Sequence, residues 1–221
     1  AQQVTQTENA IARGADAVVL DPADVNGTIG AVDLAAAKNI PFISAGTLVN
    51  SPKAIQIVQE DYVDGQSVAG HLLKALPNGG DGIVIGGPAN ETWARQRVQG
   101  LVDGLKKDPK FVVAAITNEM SPAEGVAKFN NAVQAHPKVD WIYSVYNLFL
   151  LPSAIPEKYR GSYYVAGGFE PATVEGLKDG TVKAVAPNFG LMSGFVGVTY
   201  AVRALNGESL PKMTCMPNTI V

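Results

Sequence analysis

Several residues stand just past the ends of short apolar runs and carry side chains suited to holding a neutral polar solute. They are Asp21, Thr47, Asn90 with Trp93 and Arg95, Asn118, Tyr146 with Asn147, Glu170 and Asn188. Asn and Asp donate to or accept from hydroxyl groups, Arg adds forked donors, and Trp or Tyr faces cover apolar ring surface, which together make a small-molecule cleft. Capping is an equal alternative for Asp21, which precedes Pro22, and for Asn118, three residues ahead of Ser121. Arg95 falls in the first turns of a helix, where a cation opposes the dipole unless it serves a partner or a carboxylate; solvation at the surface is its plainer role.

Residue types for covalent or metal chemistry are sparse. No G-x-S-x-G elbow occurs; His71 sits in GHLLKAL with apolar helical neighbours, and His136 stands before Pro137 as a helix end would. Cys215 permits no internal disulfide and reads as a small buried apolar residue rather than a reactive thiol. The two histidines lie too far apart in sequence to write a Cys/His zinc cluster. Gly86-Gly87-Pro88 after an apolar run invites a phosphate-loop reading, but GGPANETW has neither a Lys-Ser/Thr pair nor three glycines at dinucleotide spacing, so a tight strand-to-helix turn is the better account. An enzyme is not expected, nor a metal or other cofactor.

The elements that must position these residues follow from length and pattern. A chain of 221 residues with 47% hydrophobic residues can bury a large core as one domain or two lobes. Lys+Arg 17 against Asp+Glu 20, net charge -3 with no block of like charge, argues against a nucleic-acid or anionic-membrane surface. No apolar run approaches the ~20 residues a bilayer span needs. The start AQQVTQTENA lacks the basic and apolar regions of a secretion signal, so for an exported protein the signal lies outside this chain.

Runs at 16–22, 40–46, 81–87, 111–118, 139–146, 162–168 and 182–188 are apolar without alternation, as strands buried on both faces are. Helical spacing fills 1–14, 28–38, 62–76, 92–106 and 122–135. Ser121-Pro122-Ala123-Glu124 marks a helix start and Gly180 a helix stop. Strand alternating with helix implies parallel, doubly wound α/β sheets whose ligands sit at the carboxyl ends of the strands. Residues 1–14 form a helix with no strand before it, so a preceding segment is expected to be absent and the first sheet incomplete.

The succession RGADAVVLDPAD, AAKNIPFISAG, VQEDYVDGQSVAGHLL, GIVIGGPANETWARQRVQGLVDGL, VQAHPKVDWIYSVYN, VAGGFEPATVEGLKDGTVKAVAPN and ALNGESLP resembles, over essentially the whole chain, the periplasmic binding proteins of the ribose- and galactose-binding type. Their fold is shared with the effector domains of lactose-repressor-like regulators. The resemblance implies two α/β lobes joined by a three-segment hinge. One lobe is 1–60 with 189–221, its first strands missing, and the other is 61–188, with crossings near 59–61, at Asn188 and at 206–211. It matches the family's ligand-gripping arginine to Arg95, its hinge-end amide to Asn188 and its polar pair to Tyr146 and Asn147.

Two positions depart from typical sugar binders: Gly46-Thr47 stands in place of an Asp-Arg pair, and Gly168 replaces an aspartate, with Glu170 two residues on. With Trp93, Tyr146, Phe149 and Phe169 nearby, a polyol, a modified sugar or a small methylated or amino compound fits as well as an ordinary sugar. The expected function is a monomeric periplasmic solute-binding protein that closes on a small polar ligand and presents it to the membrane permease of an ABC importer. A sensory partner of a sensor kinase and a repressor effector domain are the alternatives. The expected contacts are Thr47, Asn90, Trp93, Arg95, Tyr146, Asn147, Glu170 and Asn188.

Overall fold

In the computed structural model, which describes residues 2–118, 120–217 and 219–221, the chain divides into two compact units. The first is Ala1–Glu60 with Phe189–Pro217 and the second is Asp61–Asn188 with Asn218–Val221. The chain end therefore differs from the sequence expectation, which left 218–221 with the first unit. Val221 exchanges two backbone hydrogen bonds with Val185, at 2.7 and 3.0 Å, and Ile220 packs on the second core. The third crossing accordingly lies after Pro217 rather than at 206–211.

The first unit is a parallel four-stranded sheet in the order β1-β2-β3-β9, comprising β1 Val18–Leu20, β2 Phe42–Gly46, β3 Ile55–Val58 and β9 Met213–Cys215. Successive residues of a strand face opposite ways, so the strands feed two cores. Val18 and Phe42 pack with Ile11 of α1 (Gln2–Ala12) and with Ala31, Val32 and Ala35 of α2 (Ile29–Ala37). Ile43 and Ile57 pack with Ala201 of α7 (Gly190–Leu205) on the other face. β3 escapes the search for unbroken apolar runs because Gln56 interrupts it. That side chain is buried and satisfied, accepting from Val49 N–H at 2.9 Å and donating to Val49 C=O at 2.8 Å. Cys215, expected to be buried, is exposed on β9, which pairs along one side only. Outward, α7 carries an exposed apolar face of Leu191, Phe195, Val198, Val202 and Leu205.

The second unit is a parallel five-stranded sheet in the order β5-β4-β6-β7-β8, from β4 Gly80–Ile85, β5 Phe111–Ile116, β6 Trp141–Ser144, β7 Tyr163–Gly167 and β8 Ala184–Ala186. Its helices are α3 Asp61–Ala75, α4 Thr92–Leu105, α5 Pro122–Ala135 and α6 Pro171–Asp179. α5 begins as its sequence signature predicts: Pro122 takes the first turn, and the Ser121 hydroxyl accepts the Glu124 N–H at 3.3 Å. α6 ends at Gly180 with φ +80°, a left-handed position that favours glycine. The pair α3 and α4 approaches closely through small residues, since a Cβ on Gly65 or Gly100 would run into the backbone carbonyl of Arg97 or Tyr62. That close approach aligns the first turn of α3 with the middle of α4. His71 of α3 is tied to the Tyr163 hydroxyl at 2.8 Å, in keeping with a structural role.

Candidate functional site

The chain direction reverses at β4: one crossover runs from β4 outward to β5, while the path through β6, β7 and β8 proceeds the other way. In doubly wound sheets a ligand crevice opens at such a switch point, beyond the carboxyl ends of the strands. The residues after β4 and β6 fall there, with those after β7 and β8 beside them in sheet order.

After β4, the chain turns at Gly87 (φ +74°), whose N–H donates to the buried Asn118 Oδ1 at 3.0 Å while Asn118 N–H donates back to Gly87 C=O at 3.2 Å. Asn118 thus clamps the turn, and the Gly87 amide is already spent. Asn90 is exposed in the following turn. Arg95 is also exposed, and its guanidinium folds back on its own helix entrance, donating to Ala89 C=O at 2.9 Å and Thr92 Oγ1 at 3.1 Å. It supplies a brace where Glu91 provides no side-chain cap. Trp93, half-buried, stacks on Phe149 with centroids 6.4 Å apart at 20°.

Two residues beyond Arg95, Arg97 is fully buried and joins three elements. It donates to Asp61 at 2.8 Å and to Val145 C=O at 3.0 Å, lies 3.8 Å from Asp64, and sits 5.3 Å over the Trp93 ring. Burial alone would lower its proton affinity, but Asp61 and Asp64 more than offset that and hold it firmly charged. Sequence reasoning passed it over in favour of Arg95. The available signal was its helical register, three residues from Ala94 and four from Leu101 on the buried face.

After β6, Tyr146 packs edge-on against Phe149 at 5.5 Å and 87°. Burial and then the neighbouring Glu170 carboxylate raise the Tyr146 hydroxyl above its ordinary value. Asn147 has no exposed surface; its amide nitrogen donates to Thr173 Oγ1 at 2.7 Å, which leaves Oδ1 without a hydrogen bond. Thr173, on α6, was not foreseen.

After β7, Gly168 has φ +106°. A Cβ there would lie 2.9 Å from Glu170 Oε2 and 3.6 Å from Asn147 Oδ1. The Glu170 carboxylate thus folds back into the niche that the missing side chain leaves open, and its Oε2 is buried there without a hydrogen-bond partner. The carboxylate expected to be lost with Gly168 is returned from two residues away. Asn188, after β8, is exposed and is the last residue of this stretch of the second unit. Phe169 stands 45% exposed beside the niche.

The first unit repeats the device. Gly46, at the end of β2, has φ +133°, and a Cβ there would collide with the Asp21 carboxylate from the end of β1. Asp21 Oδ1 accepts the N–H of Thr47 at 3.0 Å, and Thr47, whose carbonyl accepts the Ser44 hydroxyl at 2.6 Å, is buried. Asp21 therefore shapes a strand-end turn, one of its two sequence readings. Among the described residues, no group of three His, Cys, Asp or Glu is placed to hold a metal ion.

The sequence profile described as "Periplasmic binding protein domain" matches residues 1–209. The chain is 23% identical to the ribose import binding protein of Escherichia coli K12 over 214 residues, 95% of this chain and 72% of that protein. Among solved structures, a sugar ABC transport substrate-binding protein from Bordetella parapertussis superposes with TM-score 0.87 and 25% identity, covering all of this chain and 74% of that one. An ABC transporter solute-binding protein from Agrobacterium vitis with bound D-fucose gives TM-score 0.89 at 20% identity, covering all of this chain and 79% of that one. With the two parallel sheets described above, the profile match makes the chain a member of the periplasmic binding protein family.

Proposed function

We propose that the chain is the solute-binding component of an ABC importer, working in the periplasm, where it captures a small polar, sugar-like molecule and presents it to a membrane permease. The relatives named for ribose import and for sugar ABC transport support import over the sensory and repressor alternatives. The observation that carries the reading is local to the second unit. At the switch point, the rings of Trp93 and Tyr146, both packed on the buried Phe149, stand in the same strand-end loops as two buried oxygen acceptors, Asn147 Oδ1 and Glu170 Oε2, that have no hydrogen-bond partner. Such oxygens cost roughly 1–3 kcal/mol each when left unpaired, and a solute bearing hydrogen-bond donors removes that cost.

Thr47, Asn90, Trp93, Arg95, Tyr146, Asn147, Glu170 and Asn188 are the proposed contacts. Asn147, Glu170, Tyr146 and Trp93 carry the reading. For Arg95 to grip a solute it must exchange its bonds to Ala89 and Thr92. The chain passes between the units after Glu60, Asn188 and Pro217, and these crossings serve as the hinge. A ligand with higher affinity for the closed arrangement shifts the population toward it, and the permease reads that shape.

Thermal-shift screening with D-ribose, D-allose, D-fucose and D-glucosamine tests the reading. A ligand at 100 times its dissociation constant stabilises by about 2.7 kcal/mol, an upward shift of several degrees in Tm for a chain of this size. No shift with any sugar, polyol or amino sugar would end it.

A further inference from the structure

The second-unit site contains a carboxylate with no counter-ion. Glu170 Oε2 is buried in the Gly168 niche without a hydrogen bond, and Asn147 Oδ1, beside it, is equally unpartnered. Among the described residues no Lys or Arg pairs with Glu170; the buried cation of this unit, Arg97, is committed to Asp61, Asp64 and Val145 C=O. Thr173 holds the other end of the Asn147 amide at 2.7 Å. The niche therefore offers acceptors and a negative charge. The Tyr146 hydroxyl lies against the same carboxylate, while Tyr146 and Trp93, packed on the buried Phe149, supply aromatic surface alongside.

The chemistry of the partner follows from that donor–acceptor count. A sugar hydroxyl offers one donor and brings lone pairs that would face two acceptors, whereas an ammonium offers three donors, no acceptor and the missing positive charge. Its bonds to a carboxylate are charge-assisted and stronger than neutral ones, and aromatic faces attract it further.

Building on the solute-binding reading above, we propose that the uncompensated Glu170 carboxylate, with Asn147 beside it, forms an acidic subsite for a protonated amino group, so that the transported solute is an amino sugar, an amino polyol or a related small hydroxylated amine. Gly168 is then a specificity residue: its missing side chain is what admits the Glu170 carboxylate to the end of β7.

Isothermal titration at neutral pH with two matched pairs, D-glucosamine against D-glucose and 1-amino-1-deoxy-D-sorbitol against D-sorbitol, tests this on the native chain. In at least one pair the amine is expected to bind at least tenfold more tightly than its neutral counterpart. Glu170→Gln, which keeps shape and removes charge, is expected to weaken the amine at least tenfold and so to erase that preference. Neutral compounds binding as well as the amines, or a preference that survives Glu170→Gln, would overturn the inference while leaving the solute-binding reading intact. Binding of neither class, here and in the thermal screen, would overturn both. Should the Gln variant unfold, the matched pairs on the native protein still decide the matter.

Discussion

The two units terminate a strand with the same device and put it to different use. At Gly46 and at Gly168, a glycine with positive φ clears space that a carboxylate from another residue enters, Asp21 in the first unit and Glu170 in the second. Asp21 is exposed and receives the Thr47 N–H, so its charge is solvated and it fixes a turn. The inner oxygen of Glu170 is shut away from water, receives nothing, and lies next to a second orphaned oxygen on Asn147. Geometry alone does not separate a structural carboxylate from a binding one; the state of its hydrogen bonds does. Within the second unit the same distinction recurs, because Asp61 and Asp64 are buried beside Arg97 whereas Glu170 has no such cation.

The largest effect is expected where that compensation is removed. Arg97→Met leaves Asp61 and Asp64 buried without their cation and should cost about 3–5 kcal/mol in denaturant unfolding; a cost under about 1 kcal/mol would mean the carboxylates find other relief. Next come the two glycines. Gly46→Ala and Gly168→Ala each force a side chain into the left-handed region and against a carboxylate, at a cost of about 1–3 kcal/mol. They should diverge in binding: Gly168→Ala displaces Glu170 and weakens the ligand found by screening at least tenfold, whereas Gly46→Ala changes stability with a much smaller effect on affinity. Equal losses of affinity would dissolve the contrast between the units.

A smaller change is expected for Asp21→Ala, which removes the acceptor of the Thr47 N–H and should cost about 1 kcal/mol, measurable as a shifted unfolding midpoint with unchanged slope. The smallest effect concerns pH. Partial burial, and then Lys74, lower the His71 pKa below its ordinary 6.5. The unfolded state therefore takes up the proton first as pH falls. His71 should contribute fully above about pH 6.5, with stability lost as pH drops from there to the folded value. His71→Gln should flatten that part of the stability profile, and an unchanged profile would refute the assignment.

Much of this architecture was legible in the sequence, for physical reasons. The strands β4, β6, β7 and β8 of the second sheet are buried along most of their length and so read as unbroken apolar runs, and helices such as α5 announce their ends through Ser121-Pro122 and a following turn. β3 was hidden because Gln56 is buried by virtue of hydrogen bonds to Val49, which no local pattern reveals. α7 was not foreseen from spacing, since its sequence GLMSGFVGVTYAVRAL is apolar on both its buried and its exposed sides.

At the site, residue types after strand ends pointed to Tyr146, Asn147 and Glu170. The Asn147 amide is held by Thr173, twenty-six residues away, and the return of a carboxylate to Gly168 depends on the fold of one loop. The stronger claim of Arg97 over Arg95 to the interior rests on α3 and α4 packing closely through Gly65 and Gly100. Those are tertiary facts.

Tryptophan emission gives the most direct test that solute binds at the strand ends of the second unit. Trp93 is half-buried at those ends against Phe149, while the only other tryptophan, Trp141, is sealed in the core and donates to Gly80 C=O at 3.1 Å. Titrating the probe that binds in calorimetry should produce a saturable change in emission with the same dissociation constant, and that change should vanish in Trp93→Phe protein that still binds. Saturable calorimetric binding with Trp93 emission unaltered, together with full affinity in Glu170→Gln, would place the solute elsewhere and contradict the account.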